Sequence, residues 1–229
     1  MKNLFKKLFV GFTVLSLTAC GSTTMQDNTF AAKENKGFTK YTNQLVVEYA
    51  ENDYTTMHQF FEHPEDYGID VNKVEVSLGE FYTDNTEEIK EDQKELNKFN
   101  RNTLDKTQQT IYDELKYENE LSLKAENKKF QYLNNCWSTM SGLHQSLISV
   151  FSEYILRSEK DIQDLITLIN DVPRYTNDVL EYTKKQADKN TLQFDYDSVI
   201  QDIQDVINNK ENSSITSALY NAIDALNLD

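Results

Sequence analysis

The sequence predicts an all-α fold, an antiparallel helical array or bundle with short loops and no substantial sheet. Only two prolines and six glycines occur among the 229 residues, so few positions oppose long helices. Most long stretches carry apolar residues at three- and four-residue spacing, which is the period of one helix face. Capping residues precede several of these stretches. One alternating run, Val74–Leu78, is too short to form a sheet.

The first two predicted helices precede Pro64. The first runs from Thr39 to Glu51 with amphipathic spacing. Asp53 is placed to cap a short second helix, which must end before Pro64 because the proline ring disfavours helical backbone in the preceding residue. Residues 63–68 are then predicted to form a turn.

Two capping-box patterns predict the next two helices. Asp84 stands three residues before Glu87, and Asp105 stands three residues before Gln108. At this spacing the two side chains satisfy free amide groups of the first helical turn. The apolar positions of the two helices are Ile89, Leu96 and Phe99 in the first, and Ile111, Tyr112 and Leu115 in the second.

The C-terminal half predicts five further helical segments. Met140–Leu156 is the least polar and is the candidate central helix. Ser158 is predicted to cap the next helix, and Asp171 with Pro173 to end it and start another. The apolar stripes of the later helices are Ile162, Leu165, Ile166 and Ile169; Val199, Ile200, Ile203, Val206 and Ile207; and Ile215, Leu219, Ile223 and Leu226.

The first twenty residues are typical of a bacterial lipoprotein signal. Three lysines, an apolar core over residues 8–17 and small residues precede Cys20. The alternatives are a membrane-spanning helix or a buried core helix, but ten residues at about 1.5 Å each reach only about half of a bilayer core. The predicted organisation is a signal peptide over 1–19, a flexible tether over 20–36 and a helical domain over 37–229.

Cys20 is the one predicted modification site, as the point of lipid attachment. A diacylglycerol and a fatty acid such as palmitate on this residue would hold the mature chain on the extracytoplasmic face of the cell membrane. Two hydrophobic signals give stable anchoring, whereas one is marginal. The predicted partner is therefore the membrane, through the acyl chains on Cys20.

The charge of the chain argues against nucleic-acid binding. The net charge is −15, and removal of the signal with its three lysines and no acidic residues leaves about −18 for the mature chain. Such a surface repels phosphate backbones and anionic lipid headgroups. An acidic, solvated surface also keeps the protein soluble.

No motif in the sequence predicts a catalytic residue, a metal site or a cofactor. None of the three histidines is followed by the glutamate that begins a zinc-peptidase helix, and His58 and His63 do not share a helix face. His144 lies among apolar residues and Cys136 is a lone cysteine beside Trp137, which favours packing roles over ligand or thiol chemistry. Asp195 and Asp197 lack the glycine and distal glutamate of a calcium loop.

Several segments of the sequence, taken in order, resemble the bacterial "domain of unknown function 885" family (DUF885). They are His63–Ile69, Val74–Glu80, Gln108–Asp113, Ser141–Gln145 and Leu168–Tyr175. The resemblance begins near residue 43 and continues almost to the C-terminus. It departs from the family's pattern at residues 134–137, where a proline-containing stretch is expected.

This resemblance implies a largely helical relative of zinc metallopeptidases. In the family, the His-Glu-x-x-x-x-His type motif and a further acidic ligand lie downstream of the region matched here. The sequence is therefore expected to correspond to the N-terminal part of the family domain, truncated before the metal site. No catalytic base or zinc ligand transfers onto a residue of this chain, which favours a protein that is not an enzyme by itself.

Three functional hypotheses follow. The first is a lipoprotein without catalytic activity, either an interaction module or a gene remnant. The second is the non-catalytic half of a split or partnered zinc metallopeptidase, with a separate chain supplying the C-terminal part. The third is a ligand-binding or adhesion lipoprotein that uses an aromatic face. Apolar C-terminal helices left without their packing partner also predict self-association.

Overall fold

The computed structural model describes residues 33–209 and 214–226. Within these ranges eight α-helices are joined by loops and three short 3-10 turns, and no strand occurs, which confirms the predicted all-α class. The helices are α1 (Lys36–Glu51), α2 (Tyr54–Phe60), α3 (Thr86–Leu96), α4 (Lys106–Ala125), α5 (Leu143–Ser152), α6 (Glu159–Asp188), α7 (Tyr196–Asn208) and α8 (Ser214–Ala225). None of the described helices combines the length and apolarity needed to cross a bilayer.

The described residues divide into two compact units. The first unit contains residues 33–52, 64–73 and 81–131, and so includes α1, α3 and α4. The second contains residues 53–63, 74–80, 132–209 and 214–226, and so includes α2 and α5 to α8.

The first unit is built around a core of aromatic and aliphatic side chains. Phe38 of α1 is fully buried and meets Phe99 edge to face, with ring centroids 5.1 Å apart at 83°. The core residues are Phe38, Leu96, Leu104, Ile111, Tyr112 and Leu115, with Tyr41, Leu45 and Phe99 packed against them. Burial, with three nearby carboxylates, raises the pKa of Tyr41 above the ordinary tyrosine value.

Gln108 ties the start of α4 to the start of α1. The predicted capping box is present, since Asp105 accepts from the amide of Gln108 at 2.9 Å and Gln108 Oε1 accepts from the amide of Asp105 at 3.4 Å. Gln108 Oε1 also accepts from the amide of Asn35 at 2.9 Å, and its Nε2 donates to the carbonyl of Asn35 at 3.0 Å and to Thr39 Oγ1 at 2.9 Å. One buried side chain therefore serves the first turns of two helices.

Two helix starts differ from the predictions. Asn35 caps α1 by accepting from the amide of Phe38 at 3.1 Å, so the helix begins at Lys36, which the sequence placed in the tether. The predicted box of Asp84 with Glu87 is wrong, because Asp84 instead accepts from the amide and hydroxyl of Thr86 and α3 begins one residue later.

The predicted break at Asp171 and Pro173 is also wrong. A single 30-residue helix, α6, runs through Pro173. Its buried face continues on both sides of the proline, and tertiary packing of this face outweighs the loss of one backbone hydrogen bond. The buried residues are Asp164, Leu165, Leu168, Tyr175, Val179, Tyr182 and Gln186.

Asp171 does not end α6 but fastens the segment 74–80 to it. Its Oδ2 accepts from the amide of Leu78 at 2.8 Å. Arg174 binds the same carboxylate through two nitrogens, at 2.6 and 2.7 Å, and donates to the carbonyl of Gly79 at 2.8 Å. The short alternating run of the sequence is thus held by side chains of a helix.

Helices α5, α7 and α8 bury fewer apolar side chains than their sequence patterns predict. The candidate central helix shortens to α5, in which only Leu143 and Phe151 are buried. Val199 is the one buried residue of α7, and Ile207 is 62% exposed. Of the predicted last stripe, Ile223 is 39% exposed, and the other three residues are partly buried.

Candidate functional site

A cluster of titratable side chains in the second unit surrounds His58. It begins on α2, where Asp53 caps the helix by accepting from the amide of Thr56 at 2.8 Å. The helix places Tyr54 and His58 one turn apart on the same face. Both side chains are buried, at 4% and 6% exposure.

The His58 imidazole lies between two tyrosine rings. The ring of Tyr54 is stacked on one side, with centroids 5.5 Å apart at 13°. The ring of Tyr154, from the segment after α5, is stacked on the other side at 4.3 Å and 11°. The three rings are held face to face between α2 and this segment.

The two tyrosine hydroxyls form a chain that ends on a carboxylate of α6. Tyr54 donates to Asp164 Oδ2 at 2.8 Å, and the two hydroxyls are 2.9 Å apart. Because the hydrogen of Tyr54 is used on Asp164, Tyr154 must be the donor to Tyr54. Lys160, one turn earlier on α6, forms an ion pair with Asp164. Burial raises the pKa of both tyrosines, so they stay protonated.

The hydrogen bond of His58 fixes its tautomer. Nε2 lies 2.6 Å from the carbonyl oxygen of Ile155, and a carbonyl only accepts, so Nε2 carries the hydrogen. Nδ1 is then a bare acceptor in the neutral ring, 3.7 Å from Asp161 Oδ1. Burial lowers the pKa of His58, while its bond to Ile155 and the carboxylate of Asp161 oppose this effect.

Asp161 links this cluster to the start of α6. Its Oδ2 accepts from the amide of Arg157 at 2.9 Å and from the amide and hydroxyl of Ser158 at 2.8 and 2.9 Å. This confirms that Ser158 caps α6. The guanidinium of Arg157 in turn donates to the carbonyl of His58 at 2.9 Å. The polar atoms of the cluster thus bind one another, which suits a role in holding α2 rather than acid–base catalysis.

His144 lies at a second, smaller pair. It lies partly buried on α5, and its Nε2 is 3.5 Å from Asp202 Oδ2 of α7, with 9% of the histidine side chain and 38% of the aspartate side chain exposed. Neither ring nitrogen makes a hydrogen bond. Among the described residues, no group of three or more His, Cys, Asp or Glu side chains is placed to hold a metal ion.

Cys136 is buried in a loop that α6 holds in place. Gln186 donates to the carbonyls of Tyr132 and Asn134, at 3.1 and 2.8 Å, and Trp137 Nε1 donates to Thr183 at 2.8 Å. Burial raises the pKa of the Cys136 thiol to about 12, so it stays protonated at neutral pH. The sequence interpretation of Cys136 as a packed residue agrees with this environment.

The other candidate residues are dispersed. Cys20 lies outside the described residues. His63 is exposed after α2. Asp195 caps α7, accepting from the amide and hydroxyl of Ser198 at 3.2 and 2.7 Å. Sequence reasoning missed the cluster, since only the i, i+4 spacing of Tyr54 and His58 marks it locally.

The comparisons with known proteins agree with the sequence resemblance. The family described as "Bacterial protein of unknown function (DUF885)" matches residues 38–227. The search of curated proteins gave no match, and the search of solved structures gave none either. The family match begins in α1, extends past the end of α8 and includes the His58 cluster, so the chain belongs to the DUF885 family.

Proposed function

We propose that this chain is a membrane-anchored extracytoplasmic lipoprotein whose DUF885 domain acts as a binding or interaction module without catalysis of its own. One observation carries the anchoring: a lysine-flanked apolar run ends in Leu17-Thr18-Ala19-Cys20. Cleavage before Cys20 and acylation of its thiol would place the helical domain outside the cell membrane.

Replacing Cys20 tests the anchor. Cells expressing the full chain are labelled with an alkyne analogue of palmitate, and the membrane and soluble fractions are compared. We expect Cys20→Ala to lose the label and to leave the washed membrane fraction. Cys136→Ala is the matched control, because it removes the other cysteine of the chain and should keep both properties. Label retained by Cys20→Ala, or lost by Cys136→Ala, would contradict the proposal.

The absence of catalysis is proposed from how the histidines are used. His58 is stacked between two tyrosines and hydrogen-bonded to a backbone carbonyl, and His144 lies partly buried opposite Asp202. The purified chain should bind less than stoichiometric zinc in dialysis and should not cleave a mixed peptide library with zinc added. Stoichiometric zinc together with peptide cleavage would refute this part of the proposal, whatever the result for the anchor.

A second candidate function is the non-catalytic half of a split or partnered zinc metallopeptidase. Apolar side chains exposed on α7 and α8 favour it, since a separate chain or a second copy would cover them: Ile207 is 62% exposed and Tyr220 66% exposed. Sequencing the DNA downstream for a frame that encodes a His-Glu…His motif, followed by co-purification, tests this candidate. A monomer in light scattering, with no such frame, would exclude both a partner chain and self-association.

A further inference from the structure

We propose that His58 is an acid-sensitive latch that holds α2 against the residues preceding α6 when the ring is neutral and releases it when the ring takes up a proton. The inference does not depend on the lipid anchor. It is argued from the three kinds of contact that His58 makes: a stacked pair of rings, one donated hydrogen bond, and a carboxylate facing its free nitrogen.

The neutral ring of His58 is well accommodated in the closed state. Its single N–H is donated to the carbonyl of Ile155 at 2.6 Å, and both ring faces are covered by Tyr54 and Tyr154. The Arg157 side chain, from the same segment as Tyr154, binds the backbone carbonyl of His58 at 2.9 Å. His58 therefore fastens α2 to the residues that precede α6 through both its side chain and its backbone carbonyl.

A second proton would enter on Nδ1. The groups that face this ring are Tyr54 on α2, Tyr154 and Arg157 before α6, and Asp161 and Asp164 on α6. Asp161 would attract the cation, but its nearest oxygen lies 3.7 Å from Nδ1, beyond hydrogen-bond distance. The other oxygen of Asp161, Oδ2, already accepts three hydrogen bonds.

Acid therefore acts against the closed state. The surroundings leave the buried cation poorly solvated, and Arg157 adds like charge, whereas the released ring is hydrated. Since burial lowers the pKa of His58 in the closed state, the open state binds the proton more tightly. Closure is fully favoured above the ordinary histidine pKa of about 6.5 and is weakened as the pH falls below it.

Hydrogen exchange read by mass spectrometry tests the latch on the purified full-length chain. Exchange is measured at about pH 7.5 and about pH 5.5 and corrected for the intrinsic rate at each pH. We expect peptides covering residues 53–61 to lose protection by about threefold to tenfold, the upper figure being set by one pH unit below the ordinary pKa. Peptides covering residues 175–188 of α6 should change little.

Two variants separate the latch from general acid effects. His58→Gln keeps an N–H for the carbonyl of Ile155 but takes up no proton, so the acid-induced loss should disappear. His63→Gln, which removes an exposed histidine of the same unit, should retain it. An equal loss of protection across the second unit, no loss at all, or a gain at low pH would each overturn the proposal.

A direct titration keeps the proposal testable if His58→Gln does not fold. In the NMR spectrum of the unaltered chain, the ring proton of His58 should titrate below the ordinary histidine pKa. Amide signals of α2 should follow the same curve. A pKa at or above the ordinary value, or α2 signals that do not follow the ring, would refute the latch.

Discussion

Replacing Gln108 by alanine should lower the stability of the first unit by more than the loss of side-chain volume explains. The side chain is 5% exposed and makes three hydrogen bonds between 2.9 and 3.0 Å to Asn35 and Thr39. Alanine removes all three and leaves the amide and carbonyl of Asn35 without this partner. It also removes the weaker half of the capping box, the 3.4 Å contact to Asp105.

The magnitude follows from these bonds. A protein hydrogen bond contributes about 1 kcal/mol net, so the three bonds together contribute about 3 kcal/mol. Loss of the cap contact adds about 0.5 kcal/mol, at the low end for helix caps. We therefore expect Gln108→Ala to lower the free energy of unfolding by about 3.5 kcal/mol. Gln108→Glu places a buried carboxylate oxygen against the carbonyl of Asn35, so it should lose at least as much.

Urea unfolding followed by far-ultraviolet circular dichroism measures the effect. Lys116→Ala is the matched control, because Lys116 is an exposed residue in the middle of the same helix, and it should change stability by less than about 0.5 kcal/mol. A loss below about 1 kcal/mol for either Gln108→Ala or Gln108→Glu would refute the reasoning.

Four further outcomes are expected. Leu104→Ala, at a fully buried position, should cost about 3 kcal/mol of unfolding free energy, whereas Leu121→Ala, at 47% exposure, should cost less than about 0.5 kcal/mol in the same urea assay. His144→Leu should be neutral or stabilising near pH 8, since it removes two buried nitrogens that make no hydrogen bond; a clear loss in thermal unfolding would contradict this. Burial and a glutamate one turn earlier raise the pKa of Glu118, so its charge opposes folding as the pH rises through that pKa. Glu118→Gln should therefore gain about 0.3 kcal/mol at pH 7 and nothing below the ordinary value of 4.5, as urea unfolding at both pH values would show. In the Cys20→Ala variant, which keeps only Cys136, the thiol should react with Ellman's reagent only after unfolding, and fast reaction of that folded variant would be the contrary result.

Local features of the fold were predictable from the sequence, because their partners lie within a few residues. The caps at Asp53, Asp105 and Ser158 are of this kind, and all three are present. Pro173 shows where such rules fail. The ring opposes a helix locally, but the buried face of α6 continues on both sides and decides the outcome.

The candidate site was beyond sequence reasoning for a different reason. The hydroxyl of Tyr54 meets Asp164 across 110 residues, and no pattern in the chain pairs the two. Gln108 was predicted as half of a capping box, yet its bonds to Asn35, 73 residues away, were not. Periodicity predicts which helix faces are apolar. It does not predict that Ile207 and Ile223 stay exposed, because exposure depends on which other elements pack against those faces.

The loop held by α6 gives this protein a built-in optical probe. Trp137 is the single tryptophan of the chain, and its indole N–H is bound to Thr183 within the second unit. Fluorescence excited selectively at tryptophan therefore reports the state of that unit alone. The aromatic residues of the first unit are tyrosine and phenylalanine. A difference between the fluorescence and circular dichroism transitions would reveal stepwise melting without any label.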